Sequence, residues 1–71
     1  MVYTIHLPAE RTEDYQLSIH QNGRELMEPT DIEAGTEGIM VEFNGRGVQY
    51  YELYIDGDYY KTEKVEFKVN G

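Results

Sequence analysis

A chain of 71 residues has room for one hydrophobic core and one domain. Without cysteine it has neither a disulfide staple nor a thiolate nucleophile, and two histidines backed by carboxylates are a poor ligand set for structural zinc. Fourteen acids against six bases, a formal net charge of −8, disfavour direct binding to nucleic acid or anionic lipid, because that affinity rests on Lys and Arg displacing counterions.

Apolar residues at 39%, with 13% aromatic, are the composition of a folded chain. No apolar run approaches the ~20 residues of a membrane-spanning helix. The opening "MVYTIHLP" lacks the basic start and long apolar stretch of a secretory leader. Together with the absence of cysteine, these features point to the cytoplasm.

In chain order, "VYTIHL" sets Tyr3, Ile5 and Leu7 on one face and Val2, Thr4 and His6 on the other, the period of a half-buried strand. The charged "PAERTED", opened by Pro8, reads as an exposed loop. "YQLSIH" repeats the alternation, with Tyr15, Leu17 and Ile19 opposite in direction to Gln16, Ser18 and His20. Asn22-Gly23 is the dipeptide that a two-residue type I′ turn needs, since both central residues take positive φ. That turn places Gln21 opposite Arg24 and Ile19 opposite Leu26.

"EPTDIEAGTEG", residues 28–38, has a proline, two glycines and no sustained period. It reads as an acidic loop with one helical turn over "TDIEAG", capped by Thr30 or Asp31 and stopped by Gly35. "GIMVEF" resumes alternation with Ile39, Val41 and Phe43 inward, and Asn44-Gly45 signals another turn.

Further on, Tyr51, Leu53 and Ile55 share one face, and Tyr50, Glu52 and Tyr54 the other. Asp56-Gly57 is a second type I′ centre, with Gly57-Asp58 as the alternative; centred on Asp56-Gly57, the turn sets Tyr54 opposite Tyr59, Glu52 opposite Lys61 and Leu53 opposite Tyr60. The closing "KVEFKV" wants Val65, Phe67 and Val69 inward, so the inward parity changes along the arm. A β-bulge near residues 61–64 reconciles the two, because one extra residue flips the face. The alternative, a three-residue turn, sets Lys61 and Glu63 inward and carries a desolvation cost.

Six short strands with almost no helix describe a small antiparallel β-sandwich, or else a small open β-barrel. The expected core is Ile5, Leu17, Ile19, Leu26, Val41, Phe43, Leu53, Ile55, Val65 and Phe67. A loop glycine, a long Tyr-rich strand, a turn and a last strand ending "FKV" resemble the final two strands of immunoglobulin-like domains. That family's disulfide pair and buried tryptophan are absent here. The resemblance implies a fold and no function.

Catalytic constellations are scarce. Ser18, the only serine, shares a face with His20 but has no nucleophile elbow or oxyanion-hole motif, so it reads as exposed strand surface. His6 and His20, with Glu25 opposite His20, amount to half a metal site, and two solvated histidines are the simpler reading. Asp56-Gly57-Asp58 lacks the rest of a calcium loop and is explained by turn chemistry. No phosphate-binding glycine loop is present, and no cofactor or enzyme activity is expected.

Five of the seven tyrosines fall between Tyr50 and Tyr60. Tyr51 and Tyr60 read as inward, whereas Tyr50, Tyr54 and Tyr59 form an outward face. Tyrosine is favoured at protein–protein hot spots, which makes this face the first candidate for binding another protein. From Glu25 to Glu42 six acids occur without one Lys or Arg. Glu28, Asp31, Glu33 and Glu37 mark a second candidate, for docking onto a basic cleft in the manner of the small acidic inhibitors and nucleic-acid mimics that phages encode.

Overall fold

Apolar–polar alternation builds six strands in a computed structural model that describes residues 1–68. They are β1 Val2–His6, β2 Tyr15–Gln21, β3 Arg24–Ile32, β4 Gly38–Glu42, β5 Gly47–Ile55 and β6 Asp58–Phe67. Every pairing is antiparallel: β1 with β4 in a two-stranded sheet, and the others in the order β3-β2-β5-β6. The fold is all-β, and no helix occurs among the described residues. Val69, expected inward, lies outside them.

The two sheets share one core. Ile5, Leu7 and Phe43 from the smaller sheet and its flanks pack with Tyr15, Leu17, Ile19, Ile32, Tyr51, Leu53, Ile55, Val65 and Phe67 from the larger. Phe43 stacks on Tyr51 with ring centroids 4.1 Å apart, and Tyr3 meets Phe43 edge-on at 6.4 Å. Such pairs add to the stabilisation from burial, which matters in a domain too small to bury more than about 60% of its unfolded surface.

Both dipeptide turns form as predicted. Asn22 and Gly23 have φ of 51° and 78°, and Asp56 and Gly57 have 50° and 84°, the signature of type I′. Gln21 faces Arg24 and Tyr54 faces Tyr59. Asn44-Gly45 behaves differently. A Cβ at Gly45 would sit 2.9 Å from Phe67 Cε2, so the glycine permits a loop to cross closely over that ring.

The segment expected as an acidic loop is largely strand. β3 extends to Ile32, and the helical turn is replaced by a reversal closed by the Thr36 N–H donating to the Glu33 carbonyl at 3.2 Å, with Gly35 at φ 86°. Bulges conceal the strand in the sequence. Between the pairs Leu17↔Thr30 and Ile19↔Met27 one residue of β2 faces two of β3, and between Ile19↔Met27 and His20↔Glu25 none faces one. Pro29 sits in the first irregularity, on an edge strand where a missing N–H is tolerated. Leu26 is the extra residue of the second. Met27 therefore faces Ile19, and Leu26 is 46% exposed and not core. Val41, also expected in the core, packs against it half-buried.

In β6 the pairs Tyr54↔Tyr59 and Leu53↔Lys61 leave Tyr60 as the extra residue, just ahead of the span expected for the bulge. Tyr60 is consequently exposed rather than core, and Glu52 faces Thr62 rather than Lys61. Lys61 and Glu63 now share the inward face with Val65 and Phe67, the arrangement expected to be costly. Its cost is offset by mutual pairing. Lys61 Nζ lies 2.9 Å from Glu63 Oε1 and donates to the His6 carbonyl at 2.8 Å, while the Tyr3 hydroxyl donates to Glu63 Oε2 at 3.3 Å. These contacts tie β6 to β1 across the layers.

Burial of Phe67 leads us to expect that Phe67→Ala lowers stability by about 3–5 kcal/mol, read as a fall in the urea midpoint. A pH dependence follows from the tyrosines. Burial raises the Tyr51, Tyr15 and Tyr3 hydroxyls above their ordinary value; the Glu63 charge reinforces this at Tyr3, and Arg11 opposes it at Tyr15. The fold thus holds the phenolic protons more tightly than the unfolded chain does. Their contribution is complete below about pH 10 and is lost as the pH rises through the folded values. Circular dichroism with tyrosinate absorbance should show unfolding that begins above that pH and accompanies ionisation.

Candidate functional site

Outward-facing residues of the larger sheet come together through strand pairing rather than sequence proximity. β2 supplies Gln16, Ser18 and His20, β5 supplies Tyr50, Glu52 and Tyr54, and β6 supplies Tyr59, Thr62 and Lys64. Three rings form a strip across the strands. His20 lies 4.5 Å from Tyr54, tilted by 49°, and Tyr54 meets Tyr59 edge-on at 5.9 Å. The Tyr59 hydroxyl hydrogen-bonds with Thr62 Oγ1 at 2.7 Å, which fixes that ring against its own strand.

Tyr50 and Tyr59 are each 57% exposed, and Tyr54 is half-buried between its neighbours. All three expected tyrosines thus share the outer face. His20 also lies 3.8 Å from Glu25 Oε2, the partner its position suggested. Beside the strip a hollow of about 300 Å³ is lined by Ser18, His20, Glu25, Pro29 and Tyr54 among others. Ser18 is only 6% exposed, contrary to its reading as strand surface, because it lies mid-sheet between β3 and Tyr54.

The acidic set is dispersed. Glu28 and Asp31 are on β3, Glu33 begins the reversal after it, and Glu37 precedes β4; all four are exposed. Asp31 Oδ1 accepts from Gln16 Nε2 at 3.1 Å and so joins the outer face of the larger sheet. Glu37 stands beside the smaller sheet, its carbonyl accepting the Leu7 N–H at 2.8 Å. Asp31 and Glu37 thus belong to different surfaces.

His6 faces outward on the smaller sheet, opposite Gly38, and His20 faces outward on the larger one, so the core separates them. No cluster of three metal-ligating side chains occurs among the described residues. Asp56 is engaged in its turn: Oδ1 accepts the Gln16 N–H at 2.9 Å, and Oδ2 is 3.9 Å from Arg11.

His20 is the member of the strip that sequence reasoning missed. Its outward position was readable, but its contact with Tyr54 depends on the β2–β5 pairing, which no turn encodes. Comparison with protein-family models, curated proteins and solved structures finds no match.

Outer-face aromatics contribute little to stability compared with buried ones. Tyr54→Ser combined with Tyr59→Ser should cost about 1 kcal/mol, the worth of a cross-strand pair. Chemical denaturation of the double variant measures this, with a far-ultraviolet spectrum unchanged from the parent.

Proposed function

We propose that this chain is a non-enzymatic recognition module that binds another protein through the face formed by Tyr50, Tyr54 and Tyr59. The observation that supports this is the aromatic strip on the outer face of the larger sheet, with Tyr50 and Tyr59 more than half exposed. Tyrosines offer large contact area with few rotors to freeze, and a sheet holds them in place before a partner arrives. Glu25, Glu52 and Asp31 surround the strip on the same face and favour a partner with Lys or Arg at the contact rim.

Strand order also supports the immunoglobulin-like reading of the fold. The order β3-β2-β5-β6 corresponds to C′-C-F-G of that architecture, and β1 with β4 to its B-E pair, with no counterpart of A or D among the described residues. This correspondence carries no function with it. Separation of Asp31, on the larger sheet, from Glu37, beside the smaller one, favours the tyrosine face over a single acidic docking surface.

A partner captured from extracts of the native host and identified by mass spectrometry provides the test. Tyr54→Ser with Tyr59→Ser should abolish its binding, since interface tyrosines carry about 2 kcal/mol or more each. Replacing Glu28, Asp31, Glu33 and Glu37 by Gln or Asn should mainly slow association at low salt. Binding that survives the tyrosine changes and is lost with the acids contradicts the proposal and favours an acidic inhibitor.

A further inference from the structure

The two edges of the smaller sheet are treated differently. Met1 and Phe43 exchange both backbone hydrogen bonds at 2.9 Å, and the Leu7 N–H donates to the Glu37 carbonyl at 2.8 Å. With the β1–β4 register, this means that Glu37, Ile39, Val41 and Phe43 direct their backbone groups at β1. The alternate residues Gly38, Met40 and Glu42 direct theirs at the opposite edge, where β4 has no neighbouring strand among the described residues. The outer edge of β1 is blunted by Lys61, whose ammonium binds the His6 carbonyl. The β4 edge has no such device: Ile39-Met40-Val41 contains neither Lys nor Pro, and Met40 is 76% exposed.

A hollow of about 220 Å³ adjoins this edge, its apolar lining Ile19, Leu26, Met27, Val41, Phe43 and Tyr51, joined by Glu42 and Asn44. It exists because two strands cannot cover four. Above β3 the larger sheet lacks a covering strand, and Leu26 is left exposed at the rim. Open backbone groups beside an apolar floor are the two requirements for strand addition: the ladder supplies affinity and the floor takes alternate side chains. Glu42, on β4, lines the hollow, and the chain as a whole carries a formal net charge of −8.

We propose that the free edge of β4 accepts an extended basic segment of a partner protein. Its backbone pairs with Gly38, Met40 and Glu42, its apolar side chains enter the hollow between β3 and β4, and its Lys or Arg side chains lie against Glu42. A second copy of this chain is the poorer occupant, because it brings a net charge of −8 to a surface already acidic. The site is independent of the tyrosine strip, which lies on the opposite face of the larger sheet.

The probe is a capped heptapeptide of alternating basic and apolar residues, Lys-Val-Arg-Ile-Lys-Val-Arg, followed by fluorescence anisotropy and amide hydrogen exchange on the full chain. Bound peptide should slow exchange of the Gly38, Met40 and Glu42 amides by about tenfold or more. Methylating alternate peptide amides, or replacing its basic residues with Glu, should weaken binding by about tenfold or more. Met40→Pro removes one outward donor while leaving every β1–β4 bond, and should weaken binding similarly. Leu26→Ser, at an exposed position, should weaken it about tenfold without moving the denaturation midpoint, and decides the matter should the proline variant not fold. Equal binding of the methylated peptide, or protection of β5 and β6 in place of β4, overturns the proposal. So does peptide-independent protection of β4 that grows with protein concentration, which assigns the edge to a second copy.

Discussion

Between Tyr59 and Val65 the last strand has to change the face it presents. The Asp56-Gly57 turn fixes Tyr59 opposite Tyr54 on the outer face, and with regular alternation every odd-numbered residue after it points outward too. Val65 and Phe67 are nevertheless buried in the core. Tyr60, the unpaired extra residue, reconciles the two demands and sends Lys61, Glu63, Val65 and Phe67 inward together. Without that shift the aromatic pair and the C-terminal core residues compete for one side of the sheet.

Both the cohesion of the layers and the exposed surfaces follow from this phase. Lys61 and Glu63 arrive inward near the sheet margin, where they meet the His6 carbonyl and the Tyr3 hydroxyl and hold the smaller sheet over the β6 side. That placement leaves the β3 side with less cover. The outer face meanwhile keeps Tyr54 and Tyr59 side by side, next to His20. One inserted residue thus connects the core, the aromatic face and the open edge of β4.

Turn chemistry made much of this legible in the sequence. Asn22-Gly23 and Asp56-Gly57 set local registers that the structure keeps; alternation separates Tyr50 and Tyr54 from Tyr51, and the turn places Tyr59 opposite Tyr54. β3 was hidden because two bulges interrupt the period that identifies a strand, which also put half-buried Met27 rather than Leu26 against the core. Inward Lys61 and Glu63 looked unfavourable because their compensation comes from Tyr3 and His6, distant in sequence. The His20–Tyr54 contact and the unpaired edge of β4 depend on which strands neighbour which, and alternation within a strand carries no information on that.

The register of the last hairpin is therefore the feature to measure first. Two-dimensional nuclear Overhauser spectroscopy of the native chain reads it directly from cross-strand contacts between backbone protons. The bulged register predicts contacts of Leu53 with Lys61 and of Glu52 with Thr62, alongside Tyr54 with Tyr59. Contacts of Leu53 with Tyr60 and of Glu52 with Lys61 would contradict it, and with it the inward ion pair and the parity that separates core from binding face.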